Sequence, residues 1–444
     1  MDFTPTEEQA AARDLAGEIF GDLATPERLT AAGTGSDAEL WKALCAAGLP
    51  GAVEDVGLLG LVLLLEEQGR VTAQVPFAAS CVYGLLAVAA HGTEEQRGRL
   101  LPGLRDGTAV ATGAFPARGG VVAVVDGAQG GESTGAVLGA GAGAAPDAGP
   151  GTAPGAAPGV VVGAQAGKVP GAAAGGRAGA AFGAVAGAQA GAVIGAATGA
   201  PAAGRLTGVV PWVPWLRDAT EVLVAVRESA PRAGHSLWRV RVADAETEPV
   251  ELTAPWSAGR LVLDGTPGER IGGDGAYEDV LASARTAFAG LQAGVCAGSL
   301  ARAVAHTNER EQFGRPLAAK QGVQLRAADA HMDTEAIRVT AYEAAWRRDA
   351  GLLYGTHALT AAWWASEGGM RVVHAGQHLH GGMGADLDHP VHRHFLWGRQ
   401  LDAYLGCGSE VLQEMGDLIA ESPEEPEQHP EKQQQQEQQQ EGAA

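Results

Sequence analysis

The sequence predicts an α+β chain ordered as helices, then strands, then a four-helix bundle. Three observations carry this. Apolar residues recur at helical spacing through the first quarter. Alternating and β-branched runs occupy the middle, as in "HSLWRVRV" and "GRLVLDG". From Tyr277 the period returns to helix in four long amphipathic stretches with short links, the pattern of antiparallel bundle neighbours.

Residues 1–112 read as an all-helical domain. "TPTEEQAAARDLAGEIFGDL" offers Thr4 and Thr6 as caps, Pro5 near the start and acids in the first turn. In "SDAELWKALCAAGLP", Ser36 and Glu39 form a capping pattern, and Leu40, Leu44 and Leu49 share a face. "VGLLGLVLLLEEQGR" is apolar nearly all round, which predicts a buried helix. A short capped helix and a strand ending near Phe115 follow. Residues 113–270 read as a β domain, interrupted at about 127–204 by a Gly/Ala-rich, low-complexity insert. Residues 271–420 form the bundle, whose last helix runs through "RQLDAYLGCGSEVLQEMGDLIAE". The tail 421–444, rich in Pro, Glu and Gln, predicts disorder.

Composition narrows the function. Of 444 residues, 46% are hydrophobic, enough for a large core. A net charge of −21 opposes nucleic-acid phosphates and anionic membranes, so no nucleic-acid partner is expected. Cys45, Cys81, Cys296 and Cys407 are scattered with no C-x-x-C pair, which fits a reducing, cytoplasmic setting. The N-terminus lacks the basic start and apolar run of a signal peptide. The uncharged run 178–200 is almost all Gly and Ala, so membrane insertion is not expected.

Three stretches together resemble the acyl-CoA dehydrogenase family. "NEREQFGRPLAAKQGVQL" resembles the family's Arg-x-x-Phe-Gly signature and following Gln, placed here on Arg310, Phe313, Gly314 and Gln321. "HLHGGMG" resembles its Gln-x-x-Gly-Gly-x-Gly turn, with His378 where the Gln stands and Gly381 and Gly382 in the turn. "GVVPWVPWLRDA" resembles its middle-domain strand and places Trp212 on the aromatic beside the flavin. The resemblance covers most of residues 1–421 outside the insert. It implies a helical N-terminal domain, a middle β-barrel domain and a C-terminal four-helix bundle. It further implies FAD, an acyl-CoA substrate, and α,β-desaturation in which a carboxylate removes the α-proton and the β-hydride passes to the flavin. Expected assemblies are a homodimer or homotetramer, or a heterotetramer with a base-containing subunit. Physically, Arg310 offers forked donors to phosphate, and the glycines let backbone approach an anionic cofactor. Arg285 matches an arginine the family keeps near its active site and is the candidate substrate contact.

The chemistry departs from the family at its centre. The two positions that carry the family's base are Leu405, between Tyr404 and Gly406, and Ala284. Neither side chain accepts a proton. Asp386, Asp388, Asp402 and Glu410 are the nearby acids, though Glu410 would point away from Leu405 on a regular helix. Trp215 and Val210 replace the middle strand's usual Asn and Lys, and "AFPARGG" lacks the usual Thr-Glu-Pro. His374, His378, His380, His389, His392 and His394 crowd one stretch, but without the Cys or carboxylate company of a zinc site. Three readings stay open: a dehydrogenase with an unusual base, a non-catalytic subunit completing a partner's FAD site, and a flavin-free binding or scaffold homologue.

Overall fold

The computed structural model describes residues 3–115, 203–227, 234–387 and 389–421, with the backbone of 121–125. All described residues belong to one compact unit. The low-complexity insert up to residue 202, the tail and Asp388, with the readings made for them, lie outside the described residues.

The N-terminal helices are α1 (Glu7–Leu23), α2 (Pro26–Ala32), α3 (Ala38–Ala46), α4 (Leu49–Arg70), α5 (Phe77–His91) and α6 (Glu94–Arg105). Thr6 and Thr93 close capping boxes with Gln9 and Gln96. Ser36 does not cap α3. Asp37 does so, accepting from Leu40 N, while the Ser36 hydroxyl donates to Asp218 of the β domain. The carboxylate is the stronger acceptor, and Arg28 pins it in place.

Helix α4 bends at Gly57, whose φ of +72° suits only glycine. The turn beyond it would expose two amides, and Asp349 accepts both, from Leu58 N and Leu59 N at 2.8 Å. This cap comes from a residue about 290 positions away in sequence.

The middle domain is a seven-stranded sheet of β1 (Ala111–Ala114), β2 (Val121–Val125), β3 (Ala203–Val213), β4 (Glu221–Arg227), β5 (His235–Arg241), β6 (Glu246–Pro249) and β7 (Gly259–Ile271). Its order is β1-β4-β5-β7-β3-β2, with β6 on β7; among the described residues only β1 and β4 pair in parallel. Leu206, Val210, Val222, Val224, Val240 and Leu263 form its core.

The bundle comprises α7 (Ala276–Glu309), α8 (Gln321–Asp349), α9 (Gly355–Leu379), α10 (Pro390–Ala403) and α11 (Gly408–Glu421). The stretch expected as one last helix is thus two. Leu405 at φ +64° and Gly406 at φ +105° break it; a leucine held there costs about 1 kcal/mol or more. By length and composition α7 could cross a membrane, yet 72% of its most apolar window is buried inside the protein. The four cysteines are free, Cys81 and Cys296 being buried.

Helices α4 and α7 meet backbone to backbone. A Cβ on Gly290 would lie 2.8 Å from Val62 Cγ1, and one on Gly294 or Gly298 would enter the carbonyl of Glu66 or Arg70. Gly69 is blocked reciprocally by the Leu291 carbonyl. Beside this seam Glu66 is buried and paired with Arg338 at 3.0 Å. Burial raises the Glu66 pKa, and Arg338 opposes that shift. Gly294→Ala is expected to destabilise the protein by about 1–3 kcal/mol in denaturant titration, whereas Gly322→Ala, with open space at its Cβ, is expected to be near neutral.

Candidate functional site

Helix α7 stops at Glu309, and Arg310 follows as its C-cap, its N–H bonded to the His306 carbonyl at 2.8 Å. A short hairpin, Glu311–Gln312 with Arg315–Pro316, turns through Phe313 and Gly314, both at positive φ. Leu317 N returns to the Arg310 carbonyl at 2.9 Å, and α8 then begins at Gln321. Facing this corner, α9 ends at Leu379 and Gly381 turns at φ +62°.

Between them lies a cavity of about 660 Å³. Arg310, Lys320, Arg326, His306, His378 and His380 line it, and none of its lining residues among the described ones is acidic. The first turn of α8 contributes Gly322 and Val323, and an N-terminal turn presents amides to anions. Gly381 and Gly382 meet nothing where a Cβ would stand, so the wall stays open there. These are the features of a site for a phosphate-bearing ligand.

Four residues singled out in sequence, Arg310, His378, Gly381 and Gly382, therefore converge. Two others sit beside the cavity and not in its wall. Gln321 is the exposed first residue of α8. Phe313 is 91% exposed at the hairpin tip, with Lys320 Nζ 4.8 Å from its ring centre. Lys320, Arg326 and His306 were missed because no motif marks them; Arg326 lies one helical turn past Gly322 and was legible only as a helix-face cation.

Trp212 and Arg285 belong to a second cluster. Trp212, half-buried at the end of β3, packs on Tyr404 at 5.8 Å. Tyr404 meets Phe288 at 4.7 Å, and Tyr83 meets Phe115 at 5.0 Å. The hydroxyls of Tyr83 and Tyr404 share a buried hydrogen bond of 2.6 Å. Gly113 makes room for the Tyr83 ring, since a Cβ there would stand 2.6 Å from it. Burial pushes both phenols well up, so neither serves as a base near neutral pH. Trp215, at φ +54°, is wholly buried and stacks on Trp256 at 4.4 Å.

Both expected base positions are apolar here. Ala284 is buried on α7, and Leu405 packs against the core. The adjacent Arg285 is bound by both carboxylate oxygens of Glu414, at 2.8 and 2.7 Å, and its Nε reaches the Leu405 carbonyl at 3.4 Å. Glu414 went unseen in sequence because the break at Leu405 and Gly406 resets the helix phase. Of the acids considered as substitutes, Asp402 is engaged by Ser366 and Arg399 and Glu410 by Cys407 N; Asp386 is exposed in the turn before α10, and Asp388 lies outside the described residues. Among the described residues no His, Cys, Asp and Glu grouping could hold a metal ion.

Residues 6–108 match the model of the acyl-CoA dehydrogenase N-terminal domain, and 273–418 that of the C-terminal domain. The acyl-CoA dehydrogenase FadE27 of Mycobacterium tuberculosis is 37% identical over 181 residues, 38% of this chain and 48% of that one. The short-chain-specific acyl-CoA dehydrogenase of Megasphaera elsdenii is 32% identical over 135 residues, 30% of this chain and 35% of that one. The chain thus spans less than half the length of these two relatives. Among solved structures, a Tcur3481–Tcur3483 steroid ACAD variant is 35% identical with a TM-score of 0.72, covering 94% of this chain and 98% of that one. The ChsE4–ChsE5 complex of Mycobacterium tuberculosis is 26% identical with a TM-score of 0.72, covering 95% and 100%.

The tyrosine pair gives a stability test. Tyr404→Phe and Tyr83→Phe each strand a buried hydroxyl or remove its partner, and each is expected to cost about 1–2 kcal/mol. The double variant is expected to cost less than the sum, read by urea melts in a double-mutant cycle.

Proposed function

The chain belongs to the acyl-CoA dehydrogenase family, and from that premise we propose that it serves acyl-CoA α,β-desaturation as the subunit that cradles the cofactor's phosphates. A second chain supplies the base. The observation that carries this is the length of α7. The aromatic cluster gathers at Arg285 and Phe288 near its start, and the phosphate cavity at His306 and Arg310 near its end. At 1.5 Å per residue these lie about 30 Å apart. An extended dinucleotide is shorter than that, so the cavity and the cluster of one chain serve different cofactor molecules.

The cavity's donors fit a diphosphate: Arg310, Lys320 and Arg326 carry fixed charge, and the glycine wall admits close approach. FAD, when bound, supplies the acceptor for the β-hydride. This chain's contribution is to hold the anionic end and orient it. At its own aromatic cluster the usual base positions are Leu405 and Ala284, and the nearby carboxylate of Glu414 is held by Arg285, so among the described residues neither usual position supplies a group to take an α-proton.

The similar ChsE4–ChsE5 complex and the Tcur3481–Tcur3483 protein each pair two chains by name. A heteromer with a base-bearing acyl-CoA dehydrogenase chain is accordingly the assembly proposed here. A steroid acyl-CoA is the substrate to try first, after the Tcur3481–Tcur3483 relative. The free cysteines suit a cytoplasmic setting.

Co-expression with such a base-bearing chain is expected to give a yellow complex whose flavin band is bleached by the acyl-CoA. Arg310→Ala in this chain is expected to lower flavin content at least about tenfold, the value of one charged hydrogen bond. Bleaching of flavin by acyl-CoA in this chain purified alone would overturn the proposal.

A further inference from the structure

Of the histidines crowded in the sequence, His378 and His380 line the phosphate cavity, joined there by His306 of α7. His306 on α7 stacks on His380 with ring centres 4.7 Å apart and planes at 21°. His389, the N-cap of α10, meets His380 edge-on at 4.9 Å. Stacked rings do not converge their nitrogens on a point, in keeping with the absence of a metal grouping among the described residues. His306 and His380 both line the cavity.

The protonation chemistry of His380 is fixed by its backbone partner. A carbonyl only accepts, so Nδ1 donates to the Gly376 oxygen at 2.7 Å. Further protonation therefore falls on Nε2. Burial holds His380 below the ordinary histidine value; His306, His389 and Arg302 add to this, and the Gly376 carbonyl partly opposes it. Burial likewise lowers His389, helped by His306 and Arg302 and opposed by Asp386. The surrounding charges are thus Arg302 on α7, Arg310 after it, Lys320 and Arg326 at the start of α8, His378 at the end of α9, and Asp386 before α10. Among these described groups the cations outnumber the carboxylate of Asp386, so further positive charge is disfavoured without a bound anion.

We propose that His306 and His380 are phosphate-binding residues, and that an anion enters this cavity together with a proton taken up by the stacked imidazoles. The inference rests on reading the cavity as a phosphate site. The sign follows from linkage. The anion raises the His380 pKa in the complex above its lowered value in the free protein. Binding therefore strengthens as pH falls through the histidine range. The added affinity is complete below the free-protein pKa and lost above that of the complex.

The test uses the full chain and ADP-ribose, whose diphosphate diester does not ionise in this range. Isothermal titration calorimetry between about pH 8 and pH 5.5, in buffers of different ionisation enthalpy, reads affinity and proton uptake together. Affinity is expected to rise about three- to tenfold toward acid, with net proton uptake near pH 6.5. His306→Gln, at a partly exposed position, and His380→Asn are each expected to flatten the profile. Arg310→Ala is expected to weaken binding at every pH and keep the slope. Binding that is independent of pH, or a slope that survives in the His306→Gln/His380→Asn double variant, overturns the proton linkage and leaves the phosphate site standing. No binding at any pH overturns both.

Discussion

The contact between α4 and α7 is the constraint on which the rest depends. Glycines at 290, 294 and 298 strip one face of α7, and the α4 carbonyls of Glu66 and Arg70 fill the space. Two helix backbones so close can neither slide nor rotate without collision. That fixes α7, and α7 carries the groups that matter: Ala284, Arg285 and Phe288 toward one end, His306 and Arg310 at the other. The side chain of His394 extends the seam, since its Nε2 lies 3.0 Å from the Arg70 carbonyl. The N-terminal domain thereby grips the one helix that measures the distance between the two clusters.

Much of this was legible in the chain and some was not, for definite reasons. The convergence of Arg310, His378, Gly381 and Gly382 was readable because the motifs report backbone shape, a helix stop and a glycine turn, which local sequence dictates. The placement of Lys320, Arg326 and His306 at the cavity was not, because which side of a helix faces a cavity depends on partners remote in sequence. The break at Leu405 was hidden by its residue type: leucine is a good helix former, and only Gly406 hinted at a turn. Once the break is known, Glu414 comes round to Arg285. The capping of α3 turned on a choice between neighbours, Ser36 and Asp37, that Arg28 decides from outside the helix.

The departures from the family's pattern are mutually consistent. An apolar Leu405 sits beside two phenols that hydrogen-bond to each other, and the arginine nearby is neutralised by Glu414. A lone unpaired cation or hydroxyl in this place would cost more than the pairs do. The phenols and the Arg285–Glu414 pair are satisfied, whereas the indole N–H groups of Trp215 and Trp256 in the same cluster are buried without a partner among the described residues; at the other end of α7 the cavity gathers Arg310, Lys320 and Arg326.

Asp349 has a consequence for how the chain acquires its structure. The second half of α4 is synthesised well before α8, yet its opening amides at Leu58 and Leu59 are satisfied by a carboxylate at the end of α8. Until that residue arrives, the central helix of the N-terminal domain is capped by water alone. A nascent or truncated chain therefore holds an unfinished core helix, and the most apolar segment of the domain stays loose during the slowest, long-range part of folding. Completion of the first domain is thus deferred to the third.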